Sequence, residues 1–130
     1  MSDFDTVKQY LLDLNLSIVD EDPGERVVVV EDEERGLKNL VVDCEDPILV
    51  FEQMIMLVPS NPGDMYQRLL QMNRNIIHGA FALDEDGRML LYRDTLQLAN
   101  LDANEVQGTI EALSLALAEF ADDLIEFSHR

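Results

Sequence analysis

The chain is poor in several things at once: one cysteine, two histidines, no tryptophan and nine lysines and arginines in 130 residues. A lone thiol, Cys44, cannot close an internal disulfide, which suits a reducing, cytoplasmic setting. His78 and His129 belong to no cluster with metal-ligand spacing. Nine bases against 27 acids leave a net charge of −18. Such a chain repels phosphate backbones and anionic lipid, so neither nucleic acid nor a membrane is an expected partner. No apolar run approaches the roughly 18–20 residues that span a bilayer. The opening Met-Ser-Asp-Phe-Asp has no basic segment leading into an apolar one, so no secretion signal is read there. Phosphate-cradling glycine loops, a Gly-x-Ser-x-Gly elbow and zinc spacing are all missing. The expectation is a protein with no cofactor, no metal and no enzymatic activity.

What is present is apolar and periodic. At 47% hydrophobic residues the chain can bury a core in spite of its charge, most simply as one α+β domain over 1–130. Phe4, Val7, Leu11 and Leu14 step by three and four, predicting a helix over Asp3 to Asn15. Leu16 to Val19 reads as extended, and Asp22-Pro23-Gly24-Glu25 as a turn. Val27–Val30 and Leu37–Cys44 read as strands, with Leu40, Val42 and Cys44 on one face. Cys44 is therefore a core residue, between acids at Asp43 and Glu45 that disfavour a thiolate. The segment from Asp20 to Asp46 holds eleven acids and three bases.

The stretch "ILVFEQMIMLV" is apolar on both sides of a strand. Strict alternation puts Ile48, Val50, Met54, Met56 and Val58 on one face with Glu52. It puts Leu49, Phe51, Ile55 and Leu57 on the other with Gln53. A strand covered on both sides needs more than one layer of helices. The second cover is further helix, a second subunit or a bound partner. Glu52 interrupts an apolar face, and either points into solvent or pairs with an arginine such as Arg93.

Ser60-Asn61-Pro62 predicts the start of a second helix, a capping residue before a proline in the first turn. Met65, Leu69, Met72 and Ile76 form its main stripe, with Tyr66 and Leu70 alongside. Gly79 is expected to close it, with His78 complementing the helix dipole. Asp84 and Asp86 have the two-residue spacing of a calcium loop. The sixth and twelfth positions from Asp84 are Met89 and Thr95, where such a loop needs glycine and glutamate. Asp-Gly between two apolar runs is instead a hairpin signal. Asp102, three residues before Glu105, resembles a capping box. Val106, Ile110, Leu113, Leu117, Phe120, Leu124 and Phe127 then predict one long helix on a sheet. Asp122, Asp123 and Glu126 crowd its C-terminal end, with only His129 and Arg130 near. That end is either a solvated surface screened by water and salt, borne by a stable core, or a candidate acidic surface for a basic partner segment.

The segment "LLQMNRNIIHGAFALDEDGRMLLYRDTLQLANLDANEVQGTIEALSLALAEFADDL" resembles the type III secretion chaperone superfamily, the Tir-chaperone and YbjN-like group. The resemblance lies in Leu70 to Asn73 at a helix end, the Gly-x-Phe of Gly79 to Phe81, the hairpin Asp84 to Gly87, and the helix from Asp102. It covers the C-terminal half well and the N-terminal half in element order. It implies helix, three strands, helix, two strands, helix, with one antiparallel sheet packed by helices. It also implies a small acidic homodimer that binds an extended segment of a secreted effector without ATP. A regulatory or stress adaptor of the YbjN kind, acting on a cytoplasmic partner, is the alternative. No catalytic residue carries over. The candidate partner or dimer surface is Val50, Met54, Met56, Met65, Leu69 and Met72, methionine lending itself to varied partners.

Overall fold

A computed structural model describes residues 2–130. Helix α1 (Asp3–Asp13) starts at Ser2, whose hydroxyl accepts from the Asp5 amide at 3.2 Å. It buries Phe4, Val7 and Leu11, and stops where Asn15 turns left-handed at φ 63. The strands β1 (Ser17–Asp22), β2 (Val27–Asp32), β3 (Leu37–Glu45) and β4 (Ile48–Leu57) then run antiparallel, a short 3-10 turn lying between β2 and β3. Helix α2 (Met65–Asn73), strands β5 (Ala80–Leu83) and β6 (Met89–Gln97), and helices α3 (Ala103–Glu119) and α4 (Ala121–Ser128) complete the chain. The sheet order is β1-β2-β3-β4-β6-β5.

The α+β class and the element order are those expected, with one strand more before α2. That strand, β1, is an exposed sheet edge, so it shows no alternation and becomes a strand only by pairing with β2. Helix and sheet meet in one core. Phe4, Val7 and Leu11 of α1, Met65 and Leu69 of α2, Val106 and Ile110 of α3, and Phe127 of α4 join Val28, Leu40, Val42, Leu49, Phe51 and Tyr92 of the strands. Cys44 belongs to this core, and burial pushes its thiol pKa up. The helices thus lie on one face of the sheet.

Three local expectations are corrected. Helix α2 does not begin at Ser60-Asn61-Pro62, because Gly63 is left-handed at φ 59 and interrupts helical geometry. Nor does Gly79 close it: the helix ends at Asn73, and His78 lies beyond the reach of its dipole. The predicted long final helix is divided at Phe120, whose backbone (φ −102, ψ 13) leaves the helical range. The break has a use. A four-three apolar seam on a straight helix drifts by about 20° per heptad, and re-aiming at Phe120 keeps Leu124 and Phe127 buried. The capping box is present, with the Glu105 amide donating to Asp102 Oδ1 at 2.8 Å and the Asp102 amide to Glu105 Oε2 at 3.4 Å.

Candidate protein-binding surface

Strand β4 decides what the far side of the sheet displays. Leu49, Phe51 and Gln53 face the helices, and Gln53 is satisfied by the Lys38 amide and the Gly36 carbonyl, each at 3.2 Å. Val50, Glu52 and Met54 face away, opposite Thr95, Arg93 and Leu91. A bulge between Met54 and Met56 inserts Ile55, so Met56 pairs with Leu90 and Leu57 with Met89. One extra residue reverses the alternation beyond it. Met56 therefore packs against the core, contrary to the strict alternation expected, and Leu57 joins the open face. There Met54 is 64% and Leu57 69% exposed, beside Val50 and Leu91, which are buried by their neighbours yet lie outside the helix-side core.

The open face also carries charge. Arg93 donates to Glu52 across the β4–β6 ladder, one of the two arrangements expected for that acid. On β3, Asp43 stands opposite Val50, and Glu45 opposite Ile48. These groups line a hollow of about 230 Å³. Burial, then a hydrogen bond with Glu45 and the charges of Glu45, Glu25 and Glu52, push the Asp43 carboxyl up to about 6.

A second apolar surface lies on the helix side at the β5 edge. Tyr66, Leu69 and Leu70 of α2 meet Phe81, Leu83 and Leu90 around a groove of about 330 Å³. The doubled stripe of α2 is resolved here: Met65, Leu69 and Met72 are buried, while Leu70, on the outer stripe, is 71% exposed. The groove wall is tied by Asn73, which accepts from the Phe81 amide at 2.7 Å and donates to the Phe81 carbonyl at 3.1 Å. Asn73 thus occupies backbone groups that an edge strand would otherwise present for pairing. Gly79 leads into the same strand at φ 78, and a Cβ there would stand 2.7 Å from Tyr92 Cε1 and 2.8 Å from the Arg93 carbonyl. The Tyr92 hydroxyl donates to the His78 carbonyl. Asn73 and Gly79 were visible in the sequence as motif members, but their roles were not.

Two acids of the final helix, Asp123 and Glu126, are paired within the chain. Because the helix restarts after Phe120, Asp122 and Asp123 sit in the first turn of α4, the favourable end of its dipole. Arg68 of α2 donates to Asp123 and, at 2.8 Å, to Glu126. Arg130 donates to Glu126 at 2.8 Å, to Asp64 at 2.6 Å and to the Pro62 carbonyl at 2.7 Å. The two guanidinium carbons lie 4.6 and 5.1 Å from the ring centre of Phe127, which is fully buried. These hydrogen bonds hold the Glu126 and Asp64 carboxyls below their ordinary range. Asp123 and Glu126 are thus paired within the chain, an arrangement missed because Arg68 is 55 residues from Asp123 in sequence.

The acidic hairpin is a turn. Asp84 Oδ1 accepts from the Arg88 amide at 2.8 Å and the Met89 amide at 3.1 Å, and Gly87 is left-handed at φ 68. Hydrogen bonds from the Met89 and Arg88 amides lower the Asp84 carboxyl pKa. Among the described residues, no group of three or more His, Cys, Asp or Glu is placed to hold a metal ion.

The six candidate surface residues divide between the two sides of the sheet. Val50 and Met54 lie together on the open face, while Met65, Leu69 and Met72 are buried on the helix side with Met56 half-buried near them. Leu69 alone of these also lines the groove.

A six-stranded antiparallel sheet, with its helices on one side and an apolar strip on the other, places the chain in the chaperone-like α+β class. The CesT_Tir_1 family model matches residues 1–130, and the chain belongs to that family. No curated protein matches it. Among solved structures it is similar to YbjN from E. coli, with a TM-score of 0.69 and 18% identity over 92% of each chain. It is also similar to a chain of the ExoU–SpcU complex from the type III secretion system of Pseudomonas aeruginosa. There the TM-score is 0.69 and the identity 17%, over 87% of this chain and 93% of that one. A chain of the HopA1–SchA chaperone–effector complex matches with a TM-score of 0.60 and 13% identity, over 98% of this chain and 94% of that one. At such identities the likeness is one of fold.

Proposed function

We propose that the chain is a non-enzymatic protein-binding chaperone that works as a two-fold homodimer and holds an extended segment of a partner protein. The observation that carries this reading is the pair of apolar surfaces on opposite sides of one sheet. The open-face strip of Val50, Met54, Leu57 and Leu91 is assigned to a second copy, since an isologous contact suits a self-complementary sheet face. The groove of Tyr66, Leu70, Leu83 and Phe81 is assigned to the partner segment. Family membership supports the reading, as do the HopA1–SchA chaperone–effector complex and the heterodimeric ExoU–SpcU complex of a type III secretion system. An apolar segment suits the apolar lining of the groove, and a basic one would gain from the net charge of −18. The fold of YbjN, a candidate transcription regulator, supports a second reading in which the same surfaces serve a cytoplasmic regulatory partner.

Light scattering at tens of micromolar should give about twice the 14.8 kDa chain mass, and Met54→Asp should return it to a monomer. A monomer mass for the parent protein would refute the dimer. Tagged protein recovered from its own organism should bring down one dominant partner, lost with Leu70→Asp and retained by a surface control such as Glu34→Gln. A partner exported from the cell supports the chaperone reading, and one retained in the cytoplasm the regulatory reading. Recovery unaffected by Leu70→Asp would remove the groove from either.

A further inference from the structure

We infer that the carboxylates gathered on the open sheet face act as a proton-controlled brake on the pairing of two copies of this chain, with Asp43 as the group that takes up the proton. The inference rests on the proposed homodimer and assigns it a regulation.

The geometry singles out Asp43. It projects from β3 directly opposite Val50 of β4, one of the residues assigned to the contact, and opposite Val27 of β2. Glu45 stands two residues further along the same face. Glu52 projects from β4 opposite Val41, one diagonal step from Asp43. Arg93 of β6 is the base in this hollow, and it is already engaged by Glu52. From the β1–β2 turn, the Glu25 charge reaches Asp43, while that of Arg26 bears on Cys44. Asp20 and Asp22 of β1 oppose Val29 and Val27, so they share the face but stand two strands away. The surroundings of Asp43 are thus acidic from β3, from β4 and from the β1–β2 turn, and Arg93 is committed to Glu52.

Placing a second copy over this face removes water from Asp43 and brings a symmetry-related set of acids toward it. Both changes favour the neutral carboxyl. Neutral Asp43 donates its O–H to the Glu45 carboxylate, which removes one charge and satisfies the donor. The apolar strip then closes over one charge fewer per copy, and the remaining Glu45 carboxylate is hydrogen-bonded. The single-chain carboxyl already sits at about 6, raised first by burial and then by Glu45. Near pH 7.5 the neutral form is rarer than near pH 5 by about 30-fold per copy, which bounds the change in dimer affinity that each Asp43 can impose.

The test is sedimentation equilibrium of the full chain near pH 5 and near pH 7.5, for the parent, Asp43→Asn and Met54→Asp. The parent dimer should tighten at least tenfold at the lower pH. Asp43→Asn, which keeps the shape and removes the charge, should dimerise at pH 7.5 about as tightly as the parent does at pH 5, with most of the pH dependence gone. Equal parent affinities at both pH values, or a full pH dependence in Asp43→Asn, would overturn the inference while leaving a Met54-dependent dimer intact. A parent that is monomeric at both pH values, or a dimer that survives Met54→Asp, would overturn the face assignment and the brake together. Circular dichroism at both pH values confirms that each variant is folded.

Discussion

Substituting alanine at Gly79 and at Gly87 separates two costs that are usually measured together. Both glycines are left-handed, at φ 78 and φ 68. An L-residue in that region loses about 1–2 kcal/mol at either position. The smaller unfolded-state entropy of alanine offsets part of this, equally for both. The surroundings differ. At Gly87 a Cβ meets nothing within 4 Å, whereas at Gly79 it meets Tyr92 Cε1 at 2.7 Å and the Arg93 carbonyl oxygen at 2.8 Å. The carbonyl belongs to β6, which is paired on both sides, and the Tyr92 ring is buried with its hydroxyl tied to the His78 carbonyl. Neither can retreat without disturbing the ladder. Overpacking of this kind adds about 1–3 kcal/mol. Gly79→Ala should therefore be less stable than Gly87→Ala by about 1–3 kcal/mol, a urea midpoint lower by roughly 0.5–2 M at a typical slope. Equal midpoints for the two variants would refute the close approach at Gly79.

Other consequences follow from single contacts. Asn73→Ala strands the amide and the carbonyl of Phe81 and should cost about 1–3 kcal/mol in urea titrations. Asn73→Asp, which keeps the acceptor but loses the donor, should recover part of that loss. Arg68→Met removes the partner of Asp123, one of the two partners of Glu126, and one of the two guanidinium groups over the Phe127 ring. Its melting temperature should fall, and the gap from the parent should narrow in concentrated salt. Acid should affect the carboxylates in opposite senses. Asp43 has a folded pKa of about 6, above its unfolded value near 3.8, so its penalty is full above pH 6 and fades as pH falls between those values. Asp43→Asn should thus stabilise the chain at pH 7, by about 1 kcal/mol once solvent screening of a mostly solvent-facing group is allowed for, and by almost nothing at pH 4. Asp64 and Glu126 are lowered, so the stability they contribute is held at neutral pH and lost below about pH 4, as pH falls through their folded values. Arg130→Met, which removes the hydrogen bonds to both carboxylates, should show a smaller acid-induced fall in melting temperature than the parent, and an equal fall would separate that loss from these hydrogen bonds.

What the sequence determined by itself is whatever depends on local period and local chemistry. The steps of three and four in α1 and α2 named their buried stripes, and alternation named the core face of Leu40, Val42 and Cys44. Asp102 and Glu105 are close enough in the chain to specify their own cap, as Asp84 and Gly87 specify their turn. The doubly apolar β4 announced a face that the chain's own helices leave open. Tertiary structure decided whatever depends on a distant neighbour. β1 is a strand because β2 lies beside it, and its exposed residues carry no periodic record of that. The bulge at Ile55 exists only relative to the β6 ladder, yet it sends Met56 to the core and Leu57 to the surface. Gly79 is required by the Tyr92 ring, and the acids of α4 are answered by Arg68 from another helix. A residue's own neighbours in sequence set its backbone preference and its face, but the space it must fit and the charge it must meet come from chain that folds back from far away.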